Sequence, residues 1–259
     1  MNVINLPSRM IMGTLIRQIC NTVFYKYSQD FSDSMIINIF LLDSSVKKYN
    51  HFEDVESWEE KTRYLLNMLD MNCKLQINHS ISYYKSSEVK KAKENVIHNT
   101  NIPLQFKTFT AKKKNKICFW RYDKNNLSYI RKDVMAHEVY GKHHIYTQEE
   151  WCKLYEYLNL RFDVVELEYR TPIREVYYHL STSEFCIGYG GMYHNLCTSL
   201  NVPFISLLNT KYYTEEHLKL SNPKEYHCNP TIQEITNDLY FDCLIDNARI
   251  ALGDHNNAS

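Results

Sequence analysis

The sequence predicts an α/β protein whose parallel sheets fall into two domains, and three observations point to it. The stretch 181–208, STSEFCIGYGGMYHNLCTSLNVPFISLL, reads as a short apolar strand, a turn holding Gly188, Gly190 and Gly191, a helix with Leu196, Cys197 and Leu200 at helical spacing, and a second strand opened by Pro203. The same alternation of apolar runs and helical stripes recurs before it. Composition then changes across residues 85–116, where Lys85, Lys90, Lys91, Lys93, Lys107, Lys112, Lys113, Lys114 and Lys116 face few acids. That block divides the 259 residues into a domain over 1–111 and another over 112–259.

Taken in order, residues 3–6 form a strand, 7–9 a loop and 14–27 a helix with Leu15, Ile19, Val23 and Tyr27 on one face. A second strand over 35–42 ends at Asp43, and an acidic segment leads into a helix reaching about Leu69. A third strand over 74–78 ends at His79. Open parallel sheets place their chemistry at strand carboxyl ends, so Asp43 and His79 are each either a loop or cap residue or a catalytic base. The second domain opens with the strand 116–120, followed by Arg121 as it leaves the sheet, where a guanidinium suits a phosphate. Thr147 and Glu150 then form a capping box ahead of the stripe Trp151, Leu154, Tyr155 and Leu158. Residues 164–167 are the next strand. Thr171 and Pro172 serve as N-cap and first helical residue for Ile173, Val176, Tyr177 and Leu180. In the tail, Thr231 and Glu234 repeat the capping box and start a helix running to about Ala251.

Only six glycines occur in the chain, and three of them crowd the turn at 188–191. Glycine supplies positive φ or lets the backbone approach another group closely, and a turn opening a helix aims free N–H groups and the positive dipole end outward. Such a turn either binds an anion or packs tightly against a neighbouring strand.

The segment CIGYGGMYHNLCTSLNVPFISLL resembles the donor site of GT-B glycosyltransferases of the heptosyltransferase kind, in which a strand, a small-residue turn, Gly-x-x-His and a helix lead into a "VP" strand. The resemblance covers 116–208 as three successive units in the family's order. It implies two Rossmann-like domains, an acceptor-side domain over 1–111 and a donor-binding domain over 112–259, with an interdomain cleft and a terminal helix crossing back. It also implies that Gly190, Gly191, Met192, Tyr193 and His194 hold the donor diphosphate, that Arg121 assists, and that Glu168 and Tyr169 lie near the nucleoside. Lys142 or His144 falls where the family has a phosphate-binding lysine. Two features depart from the family. Tyr189 and Gly190 replace its acidic and hydroxyl residues ahead of the last glycine, and Gly13 is followed by Thr14 where the family carries its catalytic acid.

Glycosyl transfer needs neutralisation of a departing diphosphate and a base for the acceptor hydroxyl. Helix amides answer the first without a metal, and no Asp-x-Asp pair of the metal-dependent kind occurs in the chain. No resident cofactor is expected, the nucleotide sugar, a UDP-sugar in the leading reading, being a co-substrate. His194 is either a neutral donor in the first helical turn or a structural histidine.

Thirty basic and thirty acidic residues give a formal net charge of zero, so any attraction for nucleic acid is local to the lysine block. That block is either a solvated linker or a groove for a polyanion. The eight cysteines lack metal spacing and fit reduced thiols in a reducing cytoplasm, a host's if the gene is a phage's. No run of apolar residues is long enough to span a bilayer, so a soluble protein is expected. The 21 tyrosines and scarce glycine suit an AT-rich phage gene. Together with the lysines, they resemble the phage enzymes that glycosylate hydroxymethylcytosine in double-stranded DNA. A transferase for bacterial surface polysaccharide and an inert nucleotide-sugar-binding module are the alternatives.

Overall fold

The computed structural model describes residues 2–8, 35–41, 60–61, 64–65, 67–68, 75–79, 107, 112–121, 146–168, 171–189, 192–208 and 226–253. The chain divides into two compact units, Met1–Lys107 and Thr108–Ser259.

In the first unit β1 (Asn2–Ser8), β2 (Met35–Leu41) and β3 (Leu75–His79) form a parallel sheet in the order β1-β2-β3. The register sets Leu6 beside Ile39 and Ile39 beside His79. β1 runs on through Pro7, paired with Phe40, where the sequence reads a loop. A proline is tolerated there because β1 is an edge strand of the described sheet, and its bare nitrogen costs no central ladder bond. Of the helix expected to reach about Leu69, the described residues Glu60, Lys61, Tyr64, Leu65 and Asn67 are helical, and Leu65 is buried. The expected helix over 14–27 lies outside the described residues.

The second unit is built on a five-stranded parallel sheet in the order β5-β4-β6-β7-β8. Its elements run β4 (Lys116–Trp120), α1 (Gln148–Arg161), β5 (Asp163–Glu166), α2 (Ile173–Thr182), β6 (Phe185–Gly188), α3 (Met192–Ser199), β7 (Phe204–Leu207), β8 (Tyr226–Cys228), α4 (Ile232–Ile235) and α5 (Asp238–Leu252). Alternation along the strands splits the core into two layers. Ile117, Phe119, Phe185, Ile187, Ile205 and Leu207 meet Trp151, Leu154 and Leu158 of α1 and Phe241, Leu244, Ile245 and Ala248 of α5. Cys118 and Cys186 share the opposite face, where α2 packs on β4 and α3 on β7. Helices on both faces make this a doubly wound, Rossmann-like α/β sheet.

Both expected capping boxes form, Thr147 with Glu150 and Thr231 with Glu234. Arg161 fastens the end of α1 to α5. It reaches Asp242 at 2.7 Å and Asp238 at 3.2 Å while its guanidinium lies over Phe241 and Phe162. Two expectations need correction. Pro172, not Thr171, is the N-cap of α2 and makes no side-chain cap, because the Thr171 hydroxyl accepts from the Glu168 amide at 2.8 Å. The tail helix is broken in two. The Thr236 hydroxyl turns back onto the Ile232 carbonyl, and Asn237 caps a new helix whose apolar face packs on β7 and β8 of its own unit.

Candidate functional site

The strand order locates the crevice of the second sheet. From β4 the chain crosses to β5 on one side, then returns past β4 to build β6, β7 and β8 on the other. Loops leaving the carboxyl ends of β4 and β6 therefore part in opposite directions, and ligands of doubly wound sheets bind in the gap between them. Trp120 and Arg121 leave β4 at this point, Glu166 to Glu168 leave β5, and Gly188 and Tyr189 lead from β6 into α3.

Gly188 is fixed by the approach of two backbones. It pairs with Trp120, and a Cβ on it would stand 2.0 Å from the Trp120 carbonyl oxygen. The next amide, of Tyr189, donates to that same oxygen at 3.1 Å. Close packing thus explains the first glycine of the turn. Beyond it, the eight residues of α3 start from the crevice end of β6, so the positive end of the helix dipole lies on that side of the sheet.

Aromatic rings surround the opening. Trp120 lies 6.0 Å from Tyr189, the planes 17° apart, and takes the edge of Tyr193 at 4.3 Å. Tyr193, on the first turn of α3, donates its hydroxyl to the Glu168 carbonyl at 2.8 Å and so ties the loop after β5 to the helix. Ser206 on β7 stands level with Gly188. Its hydroxyl is fully buried and makes no hydrogen bond among the described residues.

Arg121 is also at the crevice, but its guanidinium turns toward α1. Nε pairs with Glu166 at 2.5 Å, Nη1 lies 3.6 Å from Cys152 Sγ, and the group sits over the Tyr155 ring. Its charge is already matched by a carboxylate. Glu168 is exposed on the tied loop. Met192, Tyr193 and His194 all fall in the first turn of α3. In the first unit His79 ends β3. Asp43, Lys142, His144, Tyr169, Gly190 and Gly191 lie outside the described residues.

Of the lysine run, Lys112, Lys113, Lys114 and Lys116 lie at the other end of β4. Lys116 is buried at the carboxyl end of α2, where Nζ donates to Thr182 Oγ1 at 2.6 Å and meets His179 Nδ1 at 3.2 Å. A cation there complements the helix dipole. Burial pushes the Lys116 pKa down, and burial followed by the Lys116 charge pushes His179 down. Lys112 donates to the Asn201 carbonyl at 2.9 Å. Residues 112–116 therefore lie at the amino end of β4, opposite the crevice at its carboxyl end.

Burial raises the Cys118 and Cys186 thiols well above their usual range and brings Cys228 to about 12. The described cysteines are free thiols. No cluster of three or more His, Cys, Asp or Glu among the described residues is placed to hold a metal ion. No helix among them is long and apolar enough to cross a membrane.

The chain matches no protein-family model and no curated protein. Among solved structures it is similar to the crystal structure of a bacterial iron-containing dodecameric glycosyltransferase, TibC from enterotoxigenic E. coli H10407, at 8% identity and a TM-score of 0.38. The match covers 79% of this chain and 57% of that one, so the chain spans little more than half of its length.

Trp120, Ser206 and Glu166 were not singled out by sequence reasoning, and Tyr189 entered only as a departure from the family pattern. Trp120 and Tyr189 do carry a signal, since each is an aromatic residue following a buried apolar run at a strand's carboxyl end, where a core role is already filled.

Proposed function

We propose that this protein transfers a sugar from a nucleotide-diphosphate donor to an acceptor hydroxyl. The observation that carries the reading is the switch point between β4 and β6, where the sequence places Gly190 and Gly191 between β6 and α3. The amides of that first turn hold the diphosphate and stabilise the charge that builds on it as the glycosidic bond breaks. Resident metal is not required for this step. A base at the strand ends of the first unit, Asp43 or His79, takes the acceptor proton. Gly190, Gly191, Met192 and His194 line the diphosphate, Glu168 and Tyr169 the nucleoside, and Lys142 or His144 adds a cation. Arg121 contributes to the diphosphate only by exchanging its Glu166 partner.

The acceptor in this reading is hydroxymethylcytosine in duplex DNA, reached in the major groove or after the nucleotide is flipped out. Composition and the lysines read over 85–116 of the sequence support it, although Lys112, Lys113, Lys114 and Lys116 lie at the end of β4 away from the crevice. A binding module without transferase activity is the second reading, favoured by the pairing of Arg121 with Glu166.

Thermal melts with uridine or adenosine diphosphate in the presence of a chelator test the donor site, and a rise in Tm is expected. Protection that needs magnesium or manganese refutes binding by helix amides alone. Hydrolysis of a nucleotide sugar separates enzyme from module. For the acceptor, neutralising Lys112, Lys113 and Lys114 together to Gln is expected to spare donor affinity, since these residues lie at the amino end of β4, away from the crevice. If they contact DNA, the slope of log affinity against log salt flattens by about 0.9 per lost contact. An unchanged slope and affinity for hydroxymethylated DNA refutes that role.

A further inference from the structure

We propose that Trp120 and Tyr189 form a stacking shelf that holds the nucleobase of the bound nucleotide, an assignment that rests on the nucleotide-diphosphate reading above. Three features of the crevice carry it. The shelf lies at the carboxyl ends of β4 and β6, on either side of the switch point and next to the first turn of α3. A base attached to a diphosphate held by that turn is thus within reach of it.

Exposure separates the three rings by role. Tyr193 is only 3% exposed and is fixed by its hydroxyl bond to Glu168, so it acts as a support. Trp120 and Tyr189 are only half-buried, although each directly follows a buried strand residue, Phe119 and Gly188. A purely structural cluster would enclose all three. Here the two near-parallel rings, 17° apart, keep part of their surface open.

The shelf is also held in place before a ligand arrives. Tyr193 closes on Trp120 edge-first, and the Tyr189 amide bonds to the Trp120 carbonyl. Gly188 allows this approach, since any side chain would strike the same carbonyl. Rigid rings lose little freedom on binding, which favours a flat partner over a puckered sugar. Stacking reads the face of a base and not its hydrogen-bonding edge, so the shelf accepts purines and pyrimidines alike.

The experiment compares wild type, Trp120→Leu and Trp120→Phe by calorimetric titration with uridine diphosphate, adenosine diphosphate and inorganic pyrophosphate. Trp120→Leu is expected to weaken both nucleotides by about 5- to 150-fold, the range for one base–aromatic stack, while leaving pyrophosphate unchanged. Trp120→Phe is expected to restore part of the loss. Nucleotide should also quench tryptophan emission in wild type and quench it less in Trp120→Phe, because the other two tryptophans, Trp58 and Trp151, are common to both proteins and Trp151 is fully buried in the core. Unchanged nucleotide affinity in Trp120→Leu, or unquenched emission in wild type, overturns the shelf. Failure of pyrophosphate to bind counts against the diphosphate reading alone. In that case free uridine and adenosine decide the shelf, with quenching supporting it and its absence overturning it.

Discussion

Replacing Ser206 by alanine is expected to stabilise the unliganded protein. The Ser206 hydroxyl is fully buried and makes no hydrogen bond among the described residues. Leaving such a group unpaired costs about 1–3 kcal/mol of desolvation, which alanine removes. The void left by one oxygen returns only roughly 0.2–0.5 kcal/mol of that gain, at ~24 cal/mol per Å³ of cavity. A net gain of about 0.5–2.8 kcal/mol follows, or roughly 1–11 °C in Tm for a unit of this size. Urea denaturation followed by far-ultraviolet circular dichroism, with thermal melts alongside, measures it without ligand. Repeating the melts with pyrophosphate adds a second readout. Ser206 stands level with Gly188, from which the chain runs into the turn, so a hydroxyl that serves the bound anion makes the ligand-induced rise smaller in the variant. A variant less stable than wild type in the absence of ligand would refute the reasoning, since it would mean the hydroxyl has a partner that matters.

Gly188→Ala is expected to cost ~3 kcal/mol or more, or to give insoluble protein, because the new methyl group meets a backbone oxygen that cannot step aside; chemical denaturation measures it, and a loss under 1 kcal/mol would show that β4 and β6 can separate freely. Acid is expected to weaken the fold through His179. Its pKa is lowered in the folded state by burial first and then by Lys116 and Lys113, with Glu175 and Asp163 opposing. The unfolded chain therefore takes up the proton first, and the His179 contribution is whole above pH ~6.5 and falls as pH drops through the lower folded value. Protonation also removes the Nδ1 lone pair that faces Lys116 Nζ. Stability measured from pH 8 to 5 should decline less steeply in His179→Gln, and identical profiles would discard the linkage.

Much of the second unit was legible because each signal was local. The apolar strands β4, β6 and β7, both capping boxes and the stripe of Trp151, Leu154 and Leu158 are written within a few consecutive residues, and each appears in the structure. Where a residue had two possible partners the reading failed. The Thr171 hydroxyl chose the Glu168 amide over the helix, and Thr236 chose the Ile232 carbonyl and ended α4. The crevice was only partly readable for a related reason. Trp120, Tyr189 and Ser206 become neighbours through the β4–β6–β7 register, which links residues far apart in the chain. Arg121 was placed at the correct strand end, but its engagement by Glu166 depends on the pairing of Phe119 with Glu166 in the neighbouring strand. A buried lysine at the start of β4 could not be told from its exposed neighbours in a run of like charges, because only the position of α2 singles it out.

The strand order has a consequence for how the second unit is made. β4 lies inside the sheet, yet it is the first of the five strands to leave the ribosome. At ~5–20 residues per second, some seconds pass before β5 emerges to cover one edge, and more before β6 covers the other. During that interval Ile117, Cys118 and Phe119 form an apolar ribbon with both hydrogen-bonding edges open, the form most prone to pair with another nascent chain. The lysines just ahead of it, Lys112, Lys113 and Lys114, travel out of the tunnel first and repel one another across neighbouring copies. Lys112, Lys113 and Lys114 thereby have a use in synthesis, as a guard on the one strand that must wait for both of its partners.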